Sequence, residues 1–395
     1  MKQTVFFSPL VRRLCALLAL GELACLLCAC SMGAEDPGAE VALGSTDLLY
    51  EDGRVSGELC EGVTVDADIP DLSAVTSYDI VSAHMTLPDE DVLRSMRDYV
   101  FAACSEDEIQ QVYTEEDQRT NYYVDGDTEY YRDYIVSICR APGQQNVSLW
   151  KFYDYPHEPF VYDPTLMYDF AFSPFETQRD FDFMKREDAV RAVRAQLAEW
   201  EIETIGEPIV FCMDGDGMYE YLTQMYEWNQ DPTPVKQEDK ADLEGYFMVF
   251  DTGYHNIPYT CFERGSVIEE TYTYGAQLWV FFTAKGIIRL DYGWADYEID
   301  GTLEEHDAPV TLDQALSQVR TRYEDLVVTS AVEIENIFFQ YVPQNPDSET
   351  GSVTLVPAWV FQPQFSATAE KAERKEVGSY EDVIMIHAIT GKFIT

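Results

Sequence analysis

Basic residues are scarce in this sequence. Only 26 of its 395 residues are Lys or Arg, against 72 Asp or Glu, so the formal net charge is -46. Affinity for phosphates depends on Lys and Arg displacing counterions, so a chain this negative repels nucleic acid, anionic lipid headgroups and anionic wall polymers, and no nucleic-acid partner is expected. Cations, basic peptides, neutral glycans and proteins with a basic face remain open. Histidine is also scarce: His84, His157, His255, His306 and His387 are scattered without an HExxH pair, which argues against a zinc hydrolase. No GxSxG elbow or Gly-rich phosphate loop is present, which leaves serine-hydrolase and nucleotide chemistry without their usual motifs. Beyond residue 30 the cysteines are Cys60, Cys104, Cys139, Cys212 and Cys261, an odd set without a CxxC pair. That pattern fits neither a disulfide framework nor a zinc site, and small buried hydrophobes are expected, with room for one disulfide.

The start of the chain is informative. Lys2, Arg12 and Arg13 precede an apolar run from Leu14 to Ala29 that is interrupted only by Gly21 and Glu22. This is the design of a secretory signal, and the run is too short and too marked by Glu22 to span a membrane. Its end, Leu27-Cys28-Ala29-Cys30, resembles the bacterial lipobox, with Leu three positions before the acceptor and a small residue directly before it. Cleavage before Cys30 and a diacylglyceryl thioether on its sulfur are therefore expected, placing the mature chain on the outer face of the membrane through the lipid alone.

Residues 30–58 are rich in Gly, Ala, Asp and Glu, without a sustained apolar period, and read as a flexible acidic tether. Alternation at Val63, Val65, Ala67 and Ile69 predicts a strand, and a second is expected near Tyr78 to His84. Thr86-Leu87-Pro88-Asp89 then opens a helix carrying Val92, Met96, Val100 and Phe101 on one side. Tyr122-Tyr123-Val124-Asp125-Gly126-Asp127 reads as a strand entering an Asp-Gly hairpin.

A short repeat follows. Ala189-Val190-Arg191-Ala192-Val193-Arg194 matches Ala315-Leu316-Ser317-Gln318-Val319-Arg320, and each lies in a helical pattern: Val190, Val193, Leu197 and Trp200, then Leu316, Val319, Tyr323 and Leu326. Strand-like segments come after both, at 209–212, 246–250, 278–282 and 287–290, then at 334–341, 355–361 and 383–387. The expected fold class is α+β, with antiparallel sheets each packed by a helix. The expected organisation is a signal at 1–29, the tether at 30–58, an N-terminal α+β domain at 59–178, and helix-plus-sheet units at 179–300 and 301–395.

Thr311-Leu312-Asp313-Gln314-Ala315-Leu316, Val356-Pro357-Ala358-Trp359-Val360-Phe361 and the closing Ile386-His387-Ala388-Ile389-Thr390-Gly391-Lys392 resemble the C-terminal part of uncharacterised clostridial lipoproteins. Val65-Asp66-Ala67-Asp68-Ile69-Pro70 is similar to their opening, and His387 stands where the resemblance leads one to expect Asn. More distantly the chain is similar to PepSY-type modules and to the YycH/YycI-type extracytoplasmic regulators. The resemblance implies location and tandem PepSY-like architecture.

Chemistry-bearing clusters are few. Asp214-Gly215-Asp216-Gly217 begins like a calcium loop, but Met218 and Met225 occupy ligand positions, so a turn or helix N-cap is expected. The same holds for Asp125-Gly126-Asp127 with Glu129. A Cys104 and His84 nucleophile pair would have to be made by the fold. With so many acids, carboxylate pairs carry no signal. Pro357 is read as a strand entry or edge, and Trp359 as core between a helix and the sheet. We therefore expect no catalytic, cofactor-binding or metal-binding residue, and Cys30 is the one site residue. The leading reading is a non-catalytic lipoprotein that binds or regulates an envelope protein. The alternatives are a solute-binding lipoprotein of a transporter and a surface hydrolase acting on peptide or glycan.

Overall fold

The computed structural model describes residues 48–115, 118–125, 132–141, 145–151, 178–220, 223, 240, 243–260, 264–266, 271–273, 277–293, 296–324, 331–347, 350–365 and 383–394. Cys30, the signal segment, Asp127, Glu129, His157 and Cys261 lie outside them. In chain order the elements are β1 (Leu49–Glu51), β2 (Arg54–Cys60), β3 (Val63–Asp68), β4 (Ile80–Thr86), α1 (Glu90–Val100), β5 (Gln110–Thr114), β6 (Arg119–Asp125), β7 (Arg132–Cys139), β8 (Asn146–Lys151), α2 (Arg186–Glu199), β9 (Ile205–Met213) and β10 (Gly245–Asp251). There follow β11 (Gly253–Tyr254), β12 (Ile257–Pro258), β13 (Arg264–Ser266), β14 (Thr271–Thr273), β15 (Gln277–Thr283), β16 (Gly286–Gly293), β17 (Asp296–Glu304), α3 (Leu312–Glu324), β18 (Val332–Gln344), β19 (Ser352–Phe365) and β20 (Ile384–His387). The class is α+β, with mostly antiparallel sheets and few helices.

Two eight-stranded sheets carry the fold. Sheet A runs β1-β2-β3-β18-β19-β4-β17, with β20 paired to β19; β3 and β18 pair parallel, and its other described strand pairs are antiparallel. Sheet B runs β5-β6-β7-β8-β16-β15-β10-β9 and is antiparallel throughout. The expected segment boundaries do not coincide with these sheets. Strands from residues 59–178 divide between the two, and β17 crosses residue 300. The chain leaves sheet A after β4 and returns as β17, and these two strands pair, Asp296 opposite Thr86 and Tyr297 opposite Met85. Exit and return are thereby fastened side by side across roughly two hundred residues of sequence.

The folded part also starts earlier than the composition suggests. β1 and β2, both ahead of residue 61, belong to sheet A, and Val55 and Leu59 are buried there. Their few apolar residues are too sparse to form a sequence pattern, and β3 supplies the pairing that orders β2. In β3 the expected alternation holds, with Val63, Val65 and Ala67 buried and the residues between them exposed.

Sheet B reads the same from either edge. α1 leads into the meander β5 to β8, and α2 leads into β9, β10, β15 and β16; the last strands of the two meanders, β8 and β16, pair antiparallel at the centre. Both helices cover one face. Val92, Met96 and Val100 of α1 share a core with Val193 and Leu197 of α2, with Trp200 just past it, and with Val136, Leu149, Val280 and Leu290 from the strands. Tyr99 meets Trp200 edge to face at 5.3 Å, and its hydroxyl accepts the Ile287 N–H at 2.9 Å.

α3 belongs to the other sheet. Ala315, Leu316, Val319 and Tyr323 pack on Val81, Ile334, Phe361 and Ile386 of sheet A. A reciprocal cap opens this helix: the Gln314 N–H donates to Thr311 Oγ1 at 3.2 Å, and the Thr311 N–H donates to Gln314 Oε1 at 2.8 Å. Asp89, by contrast, precedes α1 without a side-chain cap bond. The repeated sequence motif thus places Ala189 and Ala315, and Val193 and Val319, in fully buried positions, but on helices over different sheets. The repeat visible in the topology is a different one, relating α1 with its meander to α2 with its meander.

Candidate binding surface

The residues singled out by sequence do not converge. His84 directs both ring nitrogens at carboxylates of β17, Nδ1 lying 2.9 Å from Asp300 Oδ1 and Nε2 3.5 Å from Glu298 Oε2, while Cys104 is half-buried beside the sheet B core. The fold therefore does not bring Cys104 and His84 together as a nucleophile pair. His255 Nδ1 lies 2.8 Å from Thr76 Oγ1, and His306 Nε2 lies 3.2 Å from Glu304. His387 accepts the Ile389 N–H on Nδ1 at 3.2 Å, and burial pushes its imidazole below the ordinary value, against the pull of Glu304. Cys139 and Cys212 are buried and Cys60 is half-buried; no disulfide joins the described cysteines.

Asp214 is a helix cap, as its turn-like sequence suggests. Its carboxylate accepts the Gly217 N–H at 2.8 Å and holds Arg179 at 3.0 Å, while Asp216 pairs with Lys240 at 2.6 Å. β6 and β7 form the antiparallel pair expected around Asp125, whose turn residues lie outside the described ones. Trp359 fills the core beneath α3, donating from Nε1 to Val310 O at 2.9 Å and meeting Phe339 edge to face at 4.9 Å. Pro357 departs from expectation, since it lies mid-strand. β19 pairs with β4 up to Leu355 and with β20 from Ala358. The C=O of Pro357 accepts the Ala388 N–H at 2.8 Å, so its missing N–H points to the same side, at the junction where β4 has ended and β20 begins.

What remains is a surface feature that sequence reading did not reach. Among the described residues the exposed large apolar side chains are Leu49, Tyr50, Val112, Tyr113, Ile209 and Leu303. Leu49 and Tyr50 are on β1, Val112 and Tyr113 on β5, Ile209 on β9 and Leu303 on β17, and these four strands are the outer strands of the two sheets. A sheet edge presents backbone donors and acceptors that another chain can use, so proteins normally guard it with charge, proline, bulges or brevity.

Three of the four edges are guarded. β1 has three residues, and the Tyr50 hydroxyl is tied to Asp313 at the start of α3; partial burial and that carboxylate both push the phenol above its ordinary value. β17 carries Asp296, Glu298, Asp300 and Glu304 and shifts register twice, between Ile299 and Gly301 and between Thr302 and Glu304. β9 holds Pro208 and Glu207, with Gly206 at φ 61° and its carbonyl taken by Arg194 Nη2 at 2.6 Å. The outer side of β20 is closed by the C-terminal hook, where the His387 N–H donates to Lys392 O at 2.8 Å and the Ile394 N–H to Met385 O at 2.9 Å.

β5 is different. Its five residues, Gln110-Gln111-Val112-Tyr113-Thr114, are all exposed, and they include no charge, proline, glycine or register shift against β6. Tyr113 is 59% exposed and Val112 44%. Acids stand at both ends, with Glu106, Asp107 and Glu108 before the strand and Glu115 after it, all exposed. Ser105 donates to Glu108 from its N–H at 2.8 Å and its hydroxyl at 2.5 Å, which holds that carboxyl below its usual range. Glu106 pairs with Arg97 at 2.6 Å, and the Arg97 guanidinium lies 5.3 Å from the centre of the Tyr122 ring on β6.

No family model and no curated protein matches this chain. Among solved structures it is similar to an uncharacterized protein from Eubacterium rectale ATCC 33656, at 15% identity over 87% of this chain and 93% of that one, with a TM-score of 0.61. That likeness shows a shared fold. YycH from Bacillus subtilis aligns at 10% identity over 76% of this chain and 98% of its own, with a TM-score of 0.19, too low to carry an argument.

Proposed function

We propose that this chain is a lipid-anchored extracytoplasmic protein that binds, and through binding regulates, another protein of the cell envelope, without catalysing a reaction. The observation that supports the binding role is that, among the described residues, the exposed large apolar side chains lie on sheet edges, with Val112 and Tyr113 on the unguarded one, where a partner's backbone can add to the sheet. The address rests on Leu27-Cys28-Ala29-Cys30, with Cys30 as the lipid acceptor. The antiparallel meanders of sheet B weigh against the solute-binding alternative, whose lobes are built from βαβ units. Within this proposal the PepSY-like reading, expected for units 179–300 and 301–395, is carried over instead to the two helix-plus-meander units of sheet B, on the strength of their helix-first order.

The test is crosslinking in intact cells followed by identification of the captured proteins, with a Cys30→Ala chain in parallel. Capture of one envelope protein, reduced when Cys30→Ala releases the chain from the membrane, is the expected result. Saturable turnover of a peptide, ester or glycan by the purified chain would overturn the non-catalytic reading in favour of a surface hydrolase.

A further inference from the structure

We propose that β5 is the docking edge, and that its partner is an extended segment of another protein with an uncharged, alternately apolar centre and Lys or Arg on both flanks. The assignment rests on the binding reading above and adds the location and the chemistry of the ligand. Among the described residues of the four outer strands, β5 alone carries no charge, proline, glycine or register shift, while β1, β9 and β17 each carry at least one device against strand addition. At about 3.4 Å per residue its five residues offer a ledge of roughly 17 Å, matching a segment of about five residues. Side chains alternate across a strand, so Tyr113 and Val112 stand on opposite faces of the sheet. Tyr113 lies on the face of Tyr122, its diagonal neighbour on β6 and a residue packed at the rim of the helix-covered core, and Val112 on the other. An added strand with alternate apolar residues can therefore bury them beside Tyr113 on one face or beside Val112 on the other.

Charge selects the occupant. Glu106, Asp107 and Glu108 stand at one end of the ledge and Glu115 at the other, so a segment with a basic residue at each end meets opposite charge whichever way it runs. A second copy of this chain meets the reverse. Antiparallel self-pairing through β5 would set Glu115 of each copy beside Glu106, Asp107 and Glu108 of the other, between chains of net charge -46. Like-charge juxtaposition of this kind selects against self-association and leaves the same edge open to a basic-flanked strand.

The probe is a synthetic peptide, Arg-Lys-Thr-Val-Thr-Val-Thr-Lys-Arg, titrated by fluorescence anisotropy into the purified full chain. An otherwise identical peptide with Glu in place of each basic residue is the control. Saturable binding of the basic-flanked peptide alone is expected, weakening as salt rises through the physiological range, where screening shortens to about 8 Å. Bound peptide should slow amide exchange at residues 110–114. The double variant Val112→Lys, Tyr113→Lys puts gatekeeping charge on exposed positions and should weaken binding by about tenfold or more with an unchanged unfolding midpoint. Equal binding of the acidic peptide, or full binding by the double variant, would overturn the assignment. Dimerisation of the wild-type chain that the double variant abolishes would also overturn it, making a second copy the occupant. In the intact-cell crosslinking, loss of capture with the double variant supports β5. Capture that persists with this variant leaves the binding reading standing and removes β5 from it. Absence of capture with the wild-type chain removes the binding reading itself.

Discussion

Tyr259 and Tyr341 are neighbours in an isolated parallel bridge, and through it the segment inserted between β10 and β15 of sheet B is sewn to β18 of sheet A. The Thr260 N–H donates to Tyr341 O at 2.8 Å, and the two rings lie 6.4 Å apart. Tyr254 and Tyr297 complete the cluster, 6.1 Å from Tyr341 and 4.9 Å from Tyr259 respectively. The Tyr341 hydroxyl donates to Asp79 O at 3.0 Å, which fixes the chain just before it enters β4. Burial raises the phenol of Tyr341 above its ordinary value.

Tyr341→Phe keeps the ring and loses one hydrogen bond, so it should cost about 1 kcal/mol in urea unfolding. Tyr341→Ala removes the ring from a packed cluster and should cost about 3 to 5 kcal/mol. A double-mutant cycle with Tyr259→Ala should return a coupling on the order of 1 kcal/mol, because the two rings share one cluster. Simple additivity would show that the two rings do not couple.

Two glycines should respond differently to alanine. A Cβ on Gly253 would lie 2.2 Å from the carbonyl oxygen of Ile257 and 2.7 Å from Ile205 Cδ1, and the nearer atom is backbone. Gly253→Ala should therefore cost about 2 kcal/mol or more, measured as a lower unfolding midpoint. At Gly301 nothing lies within 4 Å of such a Cβ. Gly301→Ala should change stability by no more than about 0.5 kcal/mol.

Asp251 ends β10, and burial pushes its carboxyl up to about 6. The unfolded value is about 3.9, so the folded state binds the proton more tightly and the shift favours folding only while the carboxyl is protonated. This contribution is fully present below the unfolded value and is lost as pH rises through about 6. Asp251→Asn should accordingly stabilise the protein at neutral pH, by on the order of 2 kcal/mol, and the advantage should disappear toward pH ~4. Unfolding free energies of both chains across this range supply the check, and an advantage independent of pH would refute the titration of Asp251 as its source.

Val193 and Val319 are each fully buried, one in the core of sheet B and the other in that of sheet A. Val193→Ala and Val319→Ala should each cost about 2 kcal/mol from lost burial and incomplete collapse around the missing methyl groups. Because the two helices pack in separate cores, the double variant should show the sum to within about 0.5 kcal/mol. A large departure from additivity in urea unfolding would mean that the two cores communicate.

Much of the secondary structure was legible because period reports which side of an element meets the core. The alternation of Val63, Val65 and Ala67 marked β3, the spacing of Val92, Met96 and Val100 marked α1, and both repeat helices hold their valines in the core as the pattern requires. β1 and β2 were illegible because two buried residues, Val55 and Leu59, make no period among acids and glycines. Pairing between distant segments was illegible for a different reason. β4 and β17 are far apart in sequence and adjacent in sheet A, and no local pattern records a pairing made at that range.

The outer strand β5 follows the same division. Gln110-Gln111-Val112-Tyr113-Thr114 carries β-forming residues and acidic neighbours, both visible in one dimension. Sequence alone carries the charge field, the lipobox-like run Leu27-Cys28-Ala29-Cys30 and the inward residues of the regular elements, because charge, local motif and period are properties of a residue and its near neighbours. Tertiary structure alone decided that β5 would be an outer strand while β8 lies at the centre of the same sheet, and that Pro357 would fall where β19 changes partners. Strand position depends on which distant segments supply the neighbouring hydrogen bonds, and that choice is made only when the whole chain closes on itself.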